Sequence, residues 1–289
     1  MSERERTAPC RNPESDPSHS IQLLPSANPW TVVTTEGISQ MKIRKSLFVG
    51  AFAFLLASTC SNRASAQSAA PMTARVTVIQ VKPDMLNEWL DLEKNEMVPA
   101  MKKGGQKTMT IYATRIFGNS HEYVVIAPFE KYADFDGQSP LIKALGADGA
   151  ARLNAKLRKC IVSSTSYSIT RATDLSNVLE EAMPNMIVTA HYRVATGKMA
   201  EFESLVKSDV LPVYKKAKTG LIVNRRGAGA NPNDVTFSTV YTKFADMDGG
   251  PFMTKQLGRE GADKLNAKFA GIRNVIDVYV RVRVPELSF

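Results

Sequence analysis

Two stretches of the chain repeat the same pattern of apolar and polar positions. Residues 132–156 and 244–268 match at a constant spacing of 112, and 13 of the 25 positions are identical. Each copy begins with an Ala-Asp-x-Asp-Gly turn and continues into apolar residues at helical spacing. Chance does not produce an ungapped match of this length, so the sequence indicates an internal duplication.

The alternation of apolar residues around these stretches predicts the remaining elements. In the first copy we expect strands over 74–81, 108–117, 122–129 and 162–171, and helices over 85–101 and 140–161. In the second copy we expect strands over 186–194, 220–227, 235–244 and 275–284, and helices over 199–217 and 252–270. Pro99 and its counterpart Pro212 should end or kink the first helix of each copy early.

This element order is the β-α-β-β-α-β plan of a ferredoxin-like unit, which has both helices on one face of an antiparallel sheet. In the first strand, Val76 and Val78 occupy one face while Ile79 and Val81 occupy the other. A single unit would therefore leave an apolar face in water. We predict an α+β fold of two tandem ferredoxin-like repeats, 74–171 and 186–289, joined by a linker over 172–185. Their antiparallel sheets should pack together as an intrachain α/β barrel.

The duplicated strand–helix–hairpin–helix–strand units, which cover residues 74–284, resemble the dimeric α/β-barrel superfamily. That superfamily includes antibiotic-biosynthesis monooxygenase-like, EthD-like and NIPSNAP-like proteins. The resemblance implies eight strands curved into a barrel, with four helices outside. It also implies a small ligand held between a sheet and its own helices, where some members oxidise aromatic substrates or degrade haem.

The N-terminal region is typical of an export signal. Residues 41–45 are basic, residues 46–58 form an apolar run, and Ala64-Ser-Ala66 supplies a cleavage site. We therefore predict a signal peptide over 41–66 and a periplasmic or secreted mature protein. Residues 1–40, with five of the chain's 15 prolines, should be either untranslated or disordered. A cytoplasmic extension ahead of a signal anchor is the alternative.

Charge and composition limit the classes of partner that we expect this protein to bind. After residue 66 the chain carries 30 Lys and Arg against 23 Asp and Glu, a weak excess for a nucleic-acid-binding protein. We expect no nucleic-acid partner, and no stable membrane insertion after signal cleavage, because no second apolar run has the length of a span. A small aromatic or anionic ligand fits this composition better, and the sequence leaves self-association open.

His191 is the main candidate for chemistry. It shares a strand face with Arg193, and the matching position in the first copy is Val78, so a function confined to one copy could reside there. The alternative is a histidine that is hydrogen-bonded within the core. No second His or Cys lies at ligand spacing, so we expect neither a metal nor a cofactor. The full set of candidate ligand-binding residues is His191, Arg193, Tyr112, Trp89, Phe202 and Tyr241.

Two functional hypotheses follow from these residues. The first is an exported protein that binds a small aromatic or anionic molecule without catalysis, and on sequence alone we favour it over an enzyme. The second is a cofactor-independent monooxygenase-like enzyme with a pocket near His191. The acidic pairs Asp134/Asp136 and Asp246/Asp248 occur in both copies, which favours a turn and capping role over a carboxylate site.

Overall fold

The computed structural model describes residues 72–179 and 183–289. The expected signal peptide and the extension before it lie outside these residues and stay predictions. Over the two described ranges, none of the helices combines the length and apolarity that crossing a membrane requires.

The first half of the described chain has the expected element order. Its elements are β1 (Thr73–Val81), α1 (Leu86–Leu92), a π-helical turn (Glu93–Met97), α2 (Val98–Lys103), β2 (Thr110–Thr114), β3 (Glu122–Phe129), α3 (Pro140–Cys160) and β4 (Ile161–Arg171).

The second half follows the same order. Its elements are β5 (Met186–Val194), α4 (Met199–Leu205), a π-helical turn (Val206–Val210), α5 (Leu211–Lys216), β6 (Leu221–Arg226), β7 (Asp234–Tyr241), α6 (Phe252–Lys268) and β8 (Arg273–Arg283).

The eight strands form one closed barrel in the order β1-β3-β2-β8-β5-β7-β6-β4. All neighbouring pairs are antiparallel, including the two seams, β2–β8 and β4–β6, that join the halves. As a result, β1 and β5 end at the same mouth of the barrel at which β3 and β7 begin. We call this the upper mouth. The hairpin connections 115–121 and 227–233 both lie there.

Each half has its own apolar core between its sheet and its helices. In the first, Trp89 is fully buried and packs against Tyr123, with ring centroids 4.4 Å apart. In the second, Phe202 occupies the equivalent place and packs against Phe237 and Phe269. A third cluster, centred on Val76 and Val124, lines the barrel lumen.

The prolines of the first helices do not end them, but each lies just after a break in the regular α-helix. The helix of the first half continues beyond Pro99 to Lys103, and that of the second continues beyond Pro212 to Lys216. In both, a π-helical turn directly precedes the proline. This turn places the proline in the first turn of the next α-helical segment, where a missing N–H costs little.

The second strand is shorter than predicted, because β2 ends at Thr114 rather than at residue 117. Ile116 adopts a positive φ of 69°, which an extended strand does not allow. The long helix α3 is interrupted at Gly146, whose φ of 71° and ψ of 170° are not helical. The capping role of the acidic turns is confirmed, since Asp134 and Asp246 accept backbone N–H groups at the start of their turns.

Candidate functional site

The two halves of the barrel place different side chains at equivalent positions of the lumen. Val78 pairs with Val124 on β3 and with Thr165 on β4. His191, its counterpart, pairs with Thr236 on β7 and with Asp277 on β8. The second half is therefore polar where the first half is largely apolar.

His191 is held between two carboxylates near the upper mouth. Its ring is buried, with Nδ1 3.4 Å from Oδ2 of Asp277 and Nε2 3.1 Å from Oδ2 of Asp234. The Nε2 contact is close but lacks the geometry of a hydrogen bond. A neutral imidazole donates to only one of these carboxylates, whereas a protonated one donates to both. Each ring nitrogen of His191 thus has a carboxylate oxygen within 3.4 Å.

A β-bulge accompanies this histidine. The register between β5 and β8 shifts directly after His191, so that Tyr192 faces Val275. In the first half the corresponding shift follows Gln80, two positions later in the equivalent strand. Bulges redirect side chains and occur often beside active sites. Here the bulge directly follows the pair in which His191 lies opposite Asp277.

Asp234 lies between His191 and the open space of the upper mouth. Arg193 donates to both of its oxygens, through Nε to Oδ1 and through Nη2 to Oδ2, the latter at 3.2 Å. Burial by itself would raise the pKa of Asp234. The hydrogen bonds from Arg193, together with the nearby Arg193 and His191 side chains, outweigh that effect and lower the pKa of Asp234. Asp234 is therefore a stable carboxylate at neutral pH.

A second ion pair joins β8 to β3, on either side of β2. Nη2 of Arg281 donates to Oε1 of Glu122 at 2.9 Å, and the hydroxyl of Thr114 donates to the same oxygen at 2.9 Å. Burial would raise the pKa of Glu122, but Arg281 and these hydrogen bonds lower it. The guanidinium of Arg281 also lies 3.8 Å from the ring centre of Tyr279.

These groups surround a cleft of about 380 Å³ in the upper mouth. Both halves contribute walls, so the cleft crosses the barrel axis rather than lying beneath one set of helices. Its lining is Val78, Gln80, Asn119, Glu122, Ser163, Thr165, Tyr167, Arg193, Arg226, Gly229, Ala230, Asn231 and Asp234. The cleft combines a few apolar and aromatic groups with convergent charges, which is the usual character of a small-molecule site.

Of the six candidate residues, the structure brings two together. Arg193 lines the cleft, and His191 lies behind Asp234. Tyr112 is also in the lumen but at the opposite end, where its hydroxyl donates to the carbonyl of Pro184 at 3.0 Å. Burial raises the pKa of Tyr112 to about 12.

The other three candidates lie on the helix side of the sheets. Trp89 and Phe202 are fully buried in the two helix–sheet cores and do not line the cleft. Tyr241 lies two residues after Thr239, so both side chains are on the same face of β7. This is the helix side, because the hydroxyl of Thr239 contacts that of Tyr214 on α5. Their role in ligand binding stays a prediction, since the cleft contains none of them.

Several residues of the site were not among the candidates. Asp234 and Glu122 begin β7 and β3. The sequence predicts Glu122 as the first residue of its strand but places Asp234 in the turn before the strand that starts at 235. The available signal was the pairing register, because Asp234 lies opposite Arg193. The remaining additions to the site are Asp277, Tyr167, Arg226 and Arg281. Across residues 72–179 and 183–289, no group of three or more His, Cys, Asp or Glu could hold a metal ion.

Comparison with known proteins identifies the fold rather than a family. No protein-family model matches the chain, and no curated protein matches it. An anthrone oxidase-like protein of known structure shares 10% identity, with a TM-score of 0.52, and the match covers 74% of this chain and 91% of that one. The chain has the ferredoxin-like α/β-barrel fold of these proteins.

Two further structures are similar. An arginine-to-alanine mutant of chlorite dismutase from Candidatus Nitrospira defluvii is 8% identical, with a TM-score of 0.50 and coverage of 74% of this chain and 92% of that one. A NIPSNAP family protein from Agrobacterium tumefaciens is 15% identical and covers 34% of this chain and 90% of its own, but its TM-score of 0.30 carries no argument. At these identities the likeness concerns the fold alone.

The preference for a protein without catalysis is wrong. The solved structures that share this barrel fold include an anthrone oxidase-like protein and a chlorite dismutase, and this finding stands against that preference. The groups that could carry chemistry are dispersed over six strands and meet only in the closed barrel, so their clustering is not visible in the linear sequence.

Proposed function

We propose that this chain is a cofactor-independent, monooxygenase-like enzyme. It oxidises, in the cleft of the upper mouth, an aromatic molecule that carries a readily lost ring proton. The observation that carries the proposal is the arrangement of His191, Asp234 and Asp277, which is made only by the second half of the barrel. The similarity of fold to an anthrone oxidase-like protein supports the reaction class.

The substrate would carry a proton that is lost readily, as does the ring CH₂ of an anthrone. Asp234 faces the cleft and accepts this proton, which then passes 3.1 Å to Nε2 of His191. The resulting imidazolium donates to both Asp234 and Asp277, so the proton rests between two negative charges. A positioned acid–base group of this kind accelerates proton transfer by about 10²–10⁴-fold.

The substrate carbanion would then supply the electrons for oxygen. In the anthrone case, one atom of O₂ becomes the new carbonyl oxygen, and the other leaves as water with the two hydrogens of the CH₂ group. The ring carbon is oxidised and O₂ is reduced, so no other reductant is needed. The positive charge of Arg193, at the wall of the cleft, favours the anionic intermediate.

Oxygen uptake with anthrone as the substrate tests this proposal. The wild-type protein should consume one O₂ per anthrone oxidised and incorporate one atom of ¹⁸O₂ into the quinone. His191→Gln should lower kcat by about 10²–10⁴-fold, because glutamine cannot take the proton. His121→Asn, in the hairpin connection, is the matched control and should leave kcat unchanged.

Two results would count against the proposal. Equal kcat values for wild type and His191→Gln would remove the histidine from the reaction. Absence of any oxygen uptake by the wild type, with anthrone and with simple phenols, would remove the reaction class.

The proposal extends to the origin and location of the barrel. The repeated element order and the match of residues 132–156 to 244–268 support a tandem duplication within one chain. The signal sequence at 41–66 supports export to the periplasm or beyond. N-terminal sequencing of the protein from its own host should give Gln67 as the first residue; Met1 or Met41 would contradict cleavage.

A further inference from the structure

Among residues 72–179 and 183–289, Arg226 is the cation of the cleft that has no acidic partner. It lines the upper mouth. Its counterpart in the first half is Thr114. Arg226 lies two residues after Asn224, which pairs with Thr236, and Thr114 lies two residues after Tyr112, which makes the equivalent pair with Val124. Within the described part of the chain, Arg226 makes no ion pair, and its Nε is buried without a hydrogen-bond acceptor.

The strand register explains this state. The last β6–β7 pair is Arg225–Val235, so Arg226 lies one position beyond it and beside Asp234. Asp234 is already occupied by Arg193 from its other side. The guanidinium of Arg226 instead lies over the ring of Tyr167 on β4, 4.6 Å from the ring centre. Its planar face is covered, while its N–H edge remains available to the cleft.

The charge of the lumen is not balanced by its own carboxylates. Arg193 is paired with Asp234, and Arg281 with Glu122. Arg171, deeper in the lumen on the same strand as Tyr167, also has a buried Nε that lacks an acceptor. A partly desolvated cation without a partner is unfavourable, and an incoming anion would satisfy it.

We propose that the substrate of the upper-mouth cleft is an aromatic carboxylate, whose carboxylate is bound by Arg226. The planar fork of arginine matches a carboxylate in a bidentate manner. Tyr167 and Val78 offer the aromatic and aliphatic surfaces against which a flat ring lies. The far edge of the ring reaches Asp234, one strand away, at an interstrand spacing of about 5 Å. Calling this ligand a substrate rests on the proposed function; its binding does not.

Binding of two matched probes tests the inference without turnover. We would measure the Kd of 2-naphthoate and of 2-naphthalenemethanol by isothermal titration calorimetry. The wild type should bind the carboxylate about 10- to 100-fold more tightly than the alcohol, which is the range for a charge-assisted bidentate contact. The preference should fall as the salt concentration rises.

Three variants identify the residue. Arg226→Met should abolish the preference while leaving the Kd of the alcohol within about twofold, and Arg226→Lys should retain part of it. Arg225→Met is the matched control, because Arg225 points to the helix side and pairs with Glu203 at 2.6 Å. It should leave both Kd values unchanged. Circular dichroism establishes that each variant is folded.

The outcomes separate this inference from the proposed function. Equal Kd values for the two probes in the wild type, or a preference that survives in folded Arg226→Met, would overturn the anion site. If Arg226-dependent binding is found while no aromatic substrate is oxidised, the anion site stands and the oxidation proposal fails. His191→Gln should keep the binding preference, since His191 does not contact the carboxylate end.

Discussion

The two halves of this barrel have the same backbone plan and different interiors. At the equivalent lumen positions, Val78 of the first half corresponds to His191 of the second. Around them, Thr165 corresponds to Asp277, and Ile169 to Arg281. The helix-side cores, by contrast, preserve their character, with Trp89 and Phe202 both fully buried. Stability thus depends on what the halves share, and the proposed chemistry on where they differ.

The largest expected effect compares the two equivalent acids, Asp234 and Glu122. Asp234→Asn should lower kcat for anthrone oxidation by about 10²–10³-fold, because the neutral amide cannot pass a proton to His191. Glu122→Gln should lower it less than tenfold, since Val78 stands where a histidine would be needed. Steady-state kinetics measures both. Comparable losses in the two variants would mean that the halves do not differ in function.

The next effect concerns the ion pair between Arg281 and Glu122. Arg281→Ile, which introduces the first half's residue, should lower the free energy of unfolding by about 3 kcal/mol, because it leaves a largely buried carboxylate without its cation. Urea denaturation measures this loss. The double variant Arg281→Ile/Glu122→Val should recover most of it. A single-variant loss below about 1 kcal/mol would show that the carboxylate finds another partner.

The third comparison is between Glu93 and its counterpart Val206 in the two π-helical turns. Burial raises the pKa of Glu93 from 4.5 to about 7. The folded protein therefore keeps a proton that the unfolded chain has lost between these pH values, so stability falls as the pH rises from 4.5 to 7. The loss should be about 3 kcal/mol.

Glu93→Val should remove the contribution of this residue to the pH dependence, so that the free energy of unfolding falls less between pH 5 and 8 than in the wild type. Urea denaturation at three pH values measures it. The exposed Glu88→Gln, on the same helix, serves as the control and should leave the slope with pH as in the wild type. A slope unchanged by Glu93→Val would assign the effect to another group.

The smallest effect should be equal in the two halves. Gly146 and Gly258 share a φ of 71°, with a ψ of 170° and 169°, a region open almost only to glycine. No atom lies within 4 Å of an added Cβ at either position, so the cost of alanine comes from the backbone alone. Gly146→Ala and Gly258→Ala should each lower the free energy of unfolding by about 1–3 kcal/mol. A difference above about 0.5 kcal/mol in thermal or urea unfolding would show that the two breaks are not equivalent.

The element order was predictable because strand alternation and helical spacing are local properties of the sequence. The π-helical turns were not, since Pro99 gave the usual signal for a helix end and the compensating turn depends on packing. His191 could be selected by comparison with Val78. Its partners could not, because Asp234 and Asp277 come from two other strands and their positions depend on the register and on the bulge after His191.

Dilution has no effect on a barrel of this construction. The seams β2–β8 and β4–β6 join segments of one chain, so closing them is a unimolecular event. A barrel assembled from two chains would come apart once its concentration fell below the dissociation constant of the seams. Here residues 172–185 connect the halves and set a fixed local concentration of each for the other. The lumen should therefore persist in a protein present at a few molecules per cell or lost into the surrounding medium.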